Sequence, residues 1–128
     1  MEDFLKNVTV FTHPLIVHKF THMCDVNTGS KEFNELTKEI TTLMGYEVLK
    51  DLKTKEILVH GPVSDFMSPV VDEDFTIVPI LRAGLGMVDG LRMLLPTAKV
   101  GHIGLFRDEE TLEPQKYYFK LPVDAADG

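Results

Sequence analysis

Phe75-Thr76-Ile77-Val78-Pro79-Ile80-Leu81-Arg82-Ala83-Gly84-Leu85-Gly86 is the stretch whose reading decides the fold. Its first seven residues form a near-continuous apolar run, which suits a strand buried on both faces of a parallel sheet. Pro79 has no N–H for a central ladder, so it is expected near the strand's end or at a bulge. After Gly86, Met87, Val88, Leu91, Leu94 and Leu95 predict a short helix that Pro96 closes. Lys99 to Phe106 reads as the next strand. Strand, helix, strand over residues 75 to 106 is a βαβ unit, with a right-handed crossover and a mostly parallel sheet.

Upstream, a helix is predicted from about Lys31 to Lys50, because Phe33, Leu36, Ile40, Leu43, Met44 and Val48 make one apolar stripe. Ser30 is its expected N-cap, and Glu32 suits the first turn. Gly45 interrupts the stripe at a cost of roughly 1 kcal/mol relative to alanine, which points to a close backbone contact. Pro14 fits the first turn of a shorter helix reaching His22. Val8 to Phe11 and Glu56 to His60 read as short strands. Residues 61 to 74 read as a loop or loose hairpin, and Arg107 to Pro114 as a polar loop. Gln115 to Leu121 is a strand weighted by Tyr117, Tyr118 and Phe119. No internal repeat or linker divides the chain, so residues 1–128 are read as a single domain.

The bulk numbers agree with an ordinary globular chain of 128 residues, 44% apolar and 26% charged. The net charge of −7 argues against sequence-independent nucleic-acid binding, which needs cations to displace counterions. A local cationic pocket for a small anion stays compatible with it. Cys24 is the only cysteine, so no disulfide forms within the chain. No apolar run reaches the ~20 residues that span a bilayer. Met1 to Lys6 lacks the layout of a signal peptide. The expected location is the cytoplasm.

Chemistry concentrates at the turn after Leu81. A buried strand runs into Arg82, Ala83, Gly84 and Gly86 and then a helix N-terminus, where free N–H groups receive anions and glycine lets a phosphate approach. Arg82 adds a bidentate donor. The same residues also make a tight turn with a surface charge, and the pattern alone does not separate the two readings. Arg107 follows the next strand, so both arginines are expected at one sheet edge, as a polyphosphate ligand would need. The alternative is two solvated arginines with Asp108, Glu109 and Glu110 as partners. Gly84-x-Gly86-x-x-x-Gly90 with Asp108 is near a dinucleotide fingerprint but has one residue too many before the third glycine. His18 and His22 share a helical face, as zinc ligands do, yet Lys19 stands where a metalloprotease needs glutamate and no close third ligand is evident, so packing or capping is the reading preferred over zinc. His13, His60 and His102 have no assignable partner. On the final strand, one of Tyr117 and Tyr118 is expected in the core and the other at the surface.

Several ordered segments resemble the bacterial-type uracil phosphoribosyltransferases. They are His13-Pro14-Leu15-Ile16-Val17-His18-Lys19, Asn27 to Phe33, Val78 to Gly90, Ala98 to Asp108, Glu110 to Pro114 and Tyr117 to Pro122. The resemblance runs from about residue 11 to 124. It implies a type I phosphoribosyltransferase fold and a glycosyltransferase that converts uracil and 5-phosphoribosyl 1-diphosphate (PRPP) to UMP and diphosphate. Mg2+ accompanies PRPP, and GTP is an allosteric activator of some relatives. It implies that Arg82, Ala83 and Gly84 cradle the diphosphate and that Arg107 also holds PRPP. No side chain is singled out as a catalytic base or a metal ligand. A homo-oligomer is expected, without nucleic acid or membrane. Cys24 departs from the arginine of many relatives. The relatives' ribose-phosphate loop and uracil-recognising segment fall beyond Gly128. The expectation is therefore a truncated domain with little or no turnover, with a non-catalytic interaction module as the alternative.

Overall fold

The computed structural model describes residues 6–107, 109–111 and 113–122, apart from the side chains of Phe106, Arg107 and Tyr117. Its elements in chain order are α1 (Pro14–Cys24), α2 (Ser30–Val48), a 3₁₀ turn (Leu49–Asp51), β1 (Thr54–His60), β2 (Asp65–Val71), β3 (Thr76–Ile77), β4 (Ile80–Leu81), α3 (Leu85–Leu94), β5 (Lys99–Val100), β6 (His102–Arg107) and β7 (Pro114–Lys120). Helices and sheet strands mix as the βαβ reading requires.

α1 begins where Pro14 costs no hydrogen bond, and His13 caps it: its Nδ1 accepts from the Leu15 N–H at 3.1 Å. No partner for His13 is evident in the sequence alone. Asp25 Oδ1 then accepts from the Asn27 N–H at 2.8 Å, and Thr28 Oγ1 donates to the His22 carbonyl. This turn chemistry ends α1 and aims the chain into α2. The N-cap of α2 is Gly29, one residue before the expected Ser30, and no side chain caps it. Ser30 has already turned helical, and its hydroxyl comes one position too late.

The apolar stripe of α2 buries Leu36 and Ile40 together with Thr41 and Gly45, whereas Phe33 and Val48 at its two ends are exposed. α2 packs on α3 through two glycines. A Cβ on Gly45 would meet Leu91 Cδ2 at 2.7 Å, and one on Gly90 would meet the Lys38 carbonyl oxygen at 2.6 Å. The close approach predicted at Gly45 is therefore to leucine side chains. The backbone contact lies at Gly90. Thr42 Oγ1 donates to the Gly90 carbonyl at 3.0 Å and closes the crossing.

The apolar run at residue 75 pairs in parallel with the strand after α3, as a βαβ unit demands. The N–H groups of Lys99, Gly101 and Ile103 donate to the carbonyls of Phe75, Ile77 and Pro79 at 3.0, 2.9 and 3.2 Å. Pro79 accepts but has no N–H to return, so the run splits into β3 and β4 and its partner splits at Gly101. Pro79 thus sits in the middle of the run, not at its end. Burial also corrects the expectation. Ile77 and Pro79 are buried, but Val78 and Ile80 on the alternate face are exposed, so one face is covered.

β6 continues antiparallel to β7, and Arg107 pairs with Pro114, so both residues belong to strands where a loop was expected. β1 and β2 form an antiparallel hairpin from Thr54↔Val71 to His60↔Asp65. Of the two readings of residues 61 to 74, a loop or a loose hairpin, the hairpin holds, with half of the stretch in β2. At its tip His60 Nδ1 lies 3.0 Å from Asp65 Oδ1. Residues 8–11 form no strand, and Val10 stands exposed. A short β-prone stretch gains nothing without a neighbour to pair with.

Candidate functional site

β4 ends at Leu81, and the chain turns at once into α3. The Leu81–Arg82 peptide bond is cis. Gly84 donates its N–H to the Ile80 carbonyl at 2.7 Å, and Leu85 donates to the Arg82 carbonyl at 3.2 Å. A Cβ on Gly84 would stand 2.8 Å from both the nitrogen and the oxygen of Ile80, so only glycine closes the turn. Gly86 is different: a Cβ there would make an ordinary 3.5 Å contact with Thr37 Cγ2. The two glycines that read alike in the sequence do separate jobs.

Gly84 caps α3 through its backbone, with no side-chain hydrogen bond. Among the described residues the N–H groups of Ala83 and Gly86 have no hydrogen-bond partner, and the Arg82 guanidinium makes no ion pair. Ala83 is exposed. The turn therefore presents a guanidinium, free N–H groups and the positive end of a helix in one place. This is the chemistry that receives an anion.

Register sets the second arginine. Ile80 pairs with Ile103 and Leu81 with Gly104, in parallel, and β6 runs on to Arg107. The backbones of Arg82 and Arg107 thus reach the same carboxyl-end edge of neighbouring parallel strands, where open α/β sheets bind ligands. The Arg107 side chain lies outside the described residues, as does Asp108.

The dinucleotide reading loses its third glycine to packing, since Gly90 faces the Lys38 carbonyl and Thr41. Tyr118 is exposed on β7, and the Tyr117 side chain lies outside the described residues. Cys24 ends α1 as an exposed thiol. Among the described residues no three His, Cys, Asp or Glu side chains come together, which does not fit a metal ion held by protein side chains alone. Among the described residues no helix is long and apolar enough to cross a membrane.

Sequence reasoning missed a cavity of about 530 Å3 behind the turn, lined by α2, α3 and the β3–β4 run, with Met44, Val48, Ile77, Pro79, Val88 and Leu91 among its walls. Gly84 also borders it. Its apolar lining makes it a backing for the turn and a poor place for a phosphate. The only sequence signal was that both helices point apolar stripes toward the same strand.

Residues 10–128 match the family model described as uracil phosphoribosyltransferase. The chain is 56% identical over 124 residues to a uracil phosphoribosyltransferase of Brevibacillus brevis, covering 96% of this chain and 59% of that protein. It is 58% identical over 121 residues to the one of Alkaliphilus metalliredigens, covering 94% and 58%. The solved AQ2163 protein of Aquifex aeolicus superposes with a TM-score of 0.83 at 36% identity, over 89% of this chain and 55% of that one. The chain spans somewhat under three fifths of the length of the curated relatives it matches. A family model matched over nearly the whole chain, with relatives above half identity, places this chain in the uracil phosphoribosyltransferase family.

Proposed function

We propose that this chain carries the diphosphate-holding part of a uracil phosphoribosyltransferase, an enzyme of pyrimidine salvage that joins uracil to PRPP and releases UMP and diphosphate. The observation that supports this reading is the turn itself: Arg82, Ala83 and Gly84 between a parallel strand and a helix N-terminus, with N–H groups that have no partner among the described residues.

In this reaction the bond from the ribose anomeric carbon to a diphosphate oxygen breaks, and the diphosphate leaves with the electron pair. A bond forms from that carbon to a uracil nitrogen, which gives up its proton. Positive charge builds on the sugar and negative charge on the leaving group. Fixed donors aimed at the leaving group lower that barrier without reorganising. Arg82 and the N–H of Ala83 are the donors, Gly84 gives the oxygens room at the backbone, and Arg107 adds a second cation from β6. Magnesium belongs to the PRPP complex in this reading, and no step is assigned to it. GTP as an allosteric activator, a homo-oligomeric state and a cytoplasmic setting go with the family reading.

Calorimetric titration of the chain with PRPP and magnesium tests the proposal. Binding is expected, and Arg82→Ala is expected to weaken it by roughly tenfold or more, the worth of one hydrogen-bonded charge. A folded chain that binds no PRPP, or an Arg82→Ala variant that binds as well as the parent, refutes it.

A second reading, an interaction module, is favoured by one observation. Ile80, Ile103 and Phe119 stand side by side across β4, β6 and β7, with Ile80 52% and Phe119 55% exposed. An apolar row of this kind marks a surface for association. Sedimentation of the parent and of Phe119→Ser separates the cases: self-association that the substitution abolishes supports this reading, and a monomer at all concentrations speaks against it.

A further inference from the structure

α1 carries two histidines for which the transferase reading has no use. We propose that His18 and His22 form a two-imidazole chelate for a first-row transition-metal ion, tightest for Cu2+. The inference is independent of the function proposed above.

Residues four apart on a helix lie one above the other on the same face. The imidazole centroids of His18 and His22 are 4.6 Å apart with an interplanar angle of 75°. A metal–nitrogen bond of about 2.1 Å sets a ring centre about 3.2 Å from the ion, so two imidazoles on one ion have centres about 4.5–5.2 Å apart, and the observed spacing falls in that range. Right-angled, tetragonal coordination by nitrogen is the preference of Cu2+ and Ni2+, and Cu2+ heads the affinity order for such ligands. Zn2+ stands below Cu2+ in the same order.

The rest of α1 holds the pair in place. His13 caps the helix, Ile16 is buried beneath it, and Lys19 Nζ bonds Glu39 Oε2 of α2 at 2.9 Å. The Lys19 cation, next to His18 in sequence, is thereby engaged on α2. Both histidines are exposed, so an ion there keeps water on its remaining positions and is not stripped of its hydration. With no third side-chain ligand among the described residues, the site is open and exchangeable, unlike a closed structural zinc centre.

The test is a Cu2+ titration of the untagged chain in a non-coordinating buffer, followed by electron paramagnetic resonance and by the thermal midpoint. The first equivalent is expected to show nitrogen coupling from two imidazoles and to raise the midpoint, because an ion bound only to the folded chain stabilises it. His18→Gln and His22→Gln, both on exposed positions and checked for unchanged helical circular dichroism, are each expected to weaken binding by roughly 100-fold, since the second ligand no longer acts at high local concentration. His60→Gln and Cys24→Ser are expected to leave it unchanged, and affinity should fall in the order Cu2+, Ni2+, Zn2+. Folded His18→Gln or His22→Gln chains that hold Cu2+ as tightly as the parent overturn the proposal. So does a parent spectrum with a single nitrogen ligand, or an equal loss in His60→Gln.

Discussion

The carbonyl oxygen of Lys38 on α2 lies where a side chain of Gly90 on α3 would begin, 2.6 Å from an ideal Cβ. Backbone meets backbone there, so neither helix can give way locally. Gly90→Ala is expected to destabilise the chain by about 1–3 kcal/mol, the usual cost of overpacking, although alanine is the better helix former. Gly86→Ala lies on the same helix but meets only an ordinary contact, and is expected to be neutral or stabilising by up to about 1 kcal/mol. Denaturant midpoints of the two variants, measured side by side, check the contrast.

Gly84→Ala forces the turn away from Ile80, because the new Cβ meets two backbone atoms at 2.8 Å. The expected result is a loss of about 1–3 kcal/mol of stability. PRPP binding is expected to fall further than that loss of folded chain accounts for. Calorimetry on samples shown to be folded measures the second effect apart from the first.

The fold was legible where periodicity and punctuation agreed. The run from Phe75, the helix from Leu85 and the parallel return strand could all be read, because apolar spacing changes from strand to helix at Arg82 to Gly84. β2 could be read only as one of two alternatives, a loop or a loose hairpin. Asp65, Ser68 and Pro69 break its pattern, and the strand exists through its pairing with β1. Burial on both faces of the β3–β4 run was over-read from composition, since Val78 and Ile80 remain exposed. At the site, Arg82 and Gly84 stood out because charge and backbone freedom are visible in residue type. The glycine contact at Gly90 depends on which helix lies opposite, and no local pattern encodes that.

Arg82→Lys keeps the charge at the turn but loses the planar fork. PRPP affinity is expected to lie between those of the parent and Arg82→Ala, and to fall more steeply with salt, since a point charge relies more on unscreened attraction. Titrations at two ionic strengths give the comparison.

His13→Ala removes the side-chain acceptor for the Leu15 N–H. A lost N-cap costs about 0.5–2 kcal/mol, with the shortfall confined to α1. Amide exchange should quicken over residues 15–24 while that of α3 stays unchanged.

The rungs that hold the β3–β4 run come from Lys99, Gly101 and Ile103, twenty-odd residues further along the chain. During synthesis the stretch leading to Arg82 emerges first but has no neighbour to lie against. It must wait until α3 and the return strand have followed. The anion-receiving turn is therefore among the earlier parts of this region to be made and among the later to be set, and its shape is an outcome of the crossover's completion.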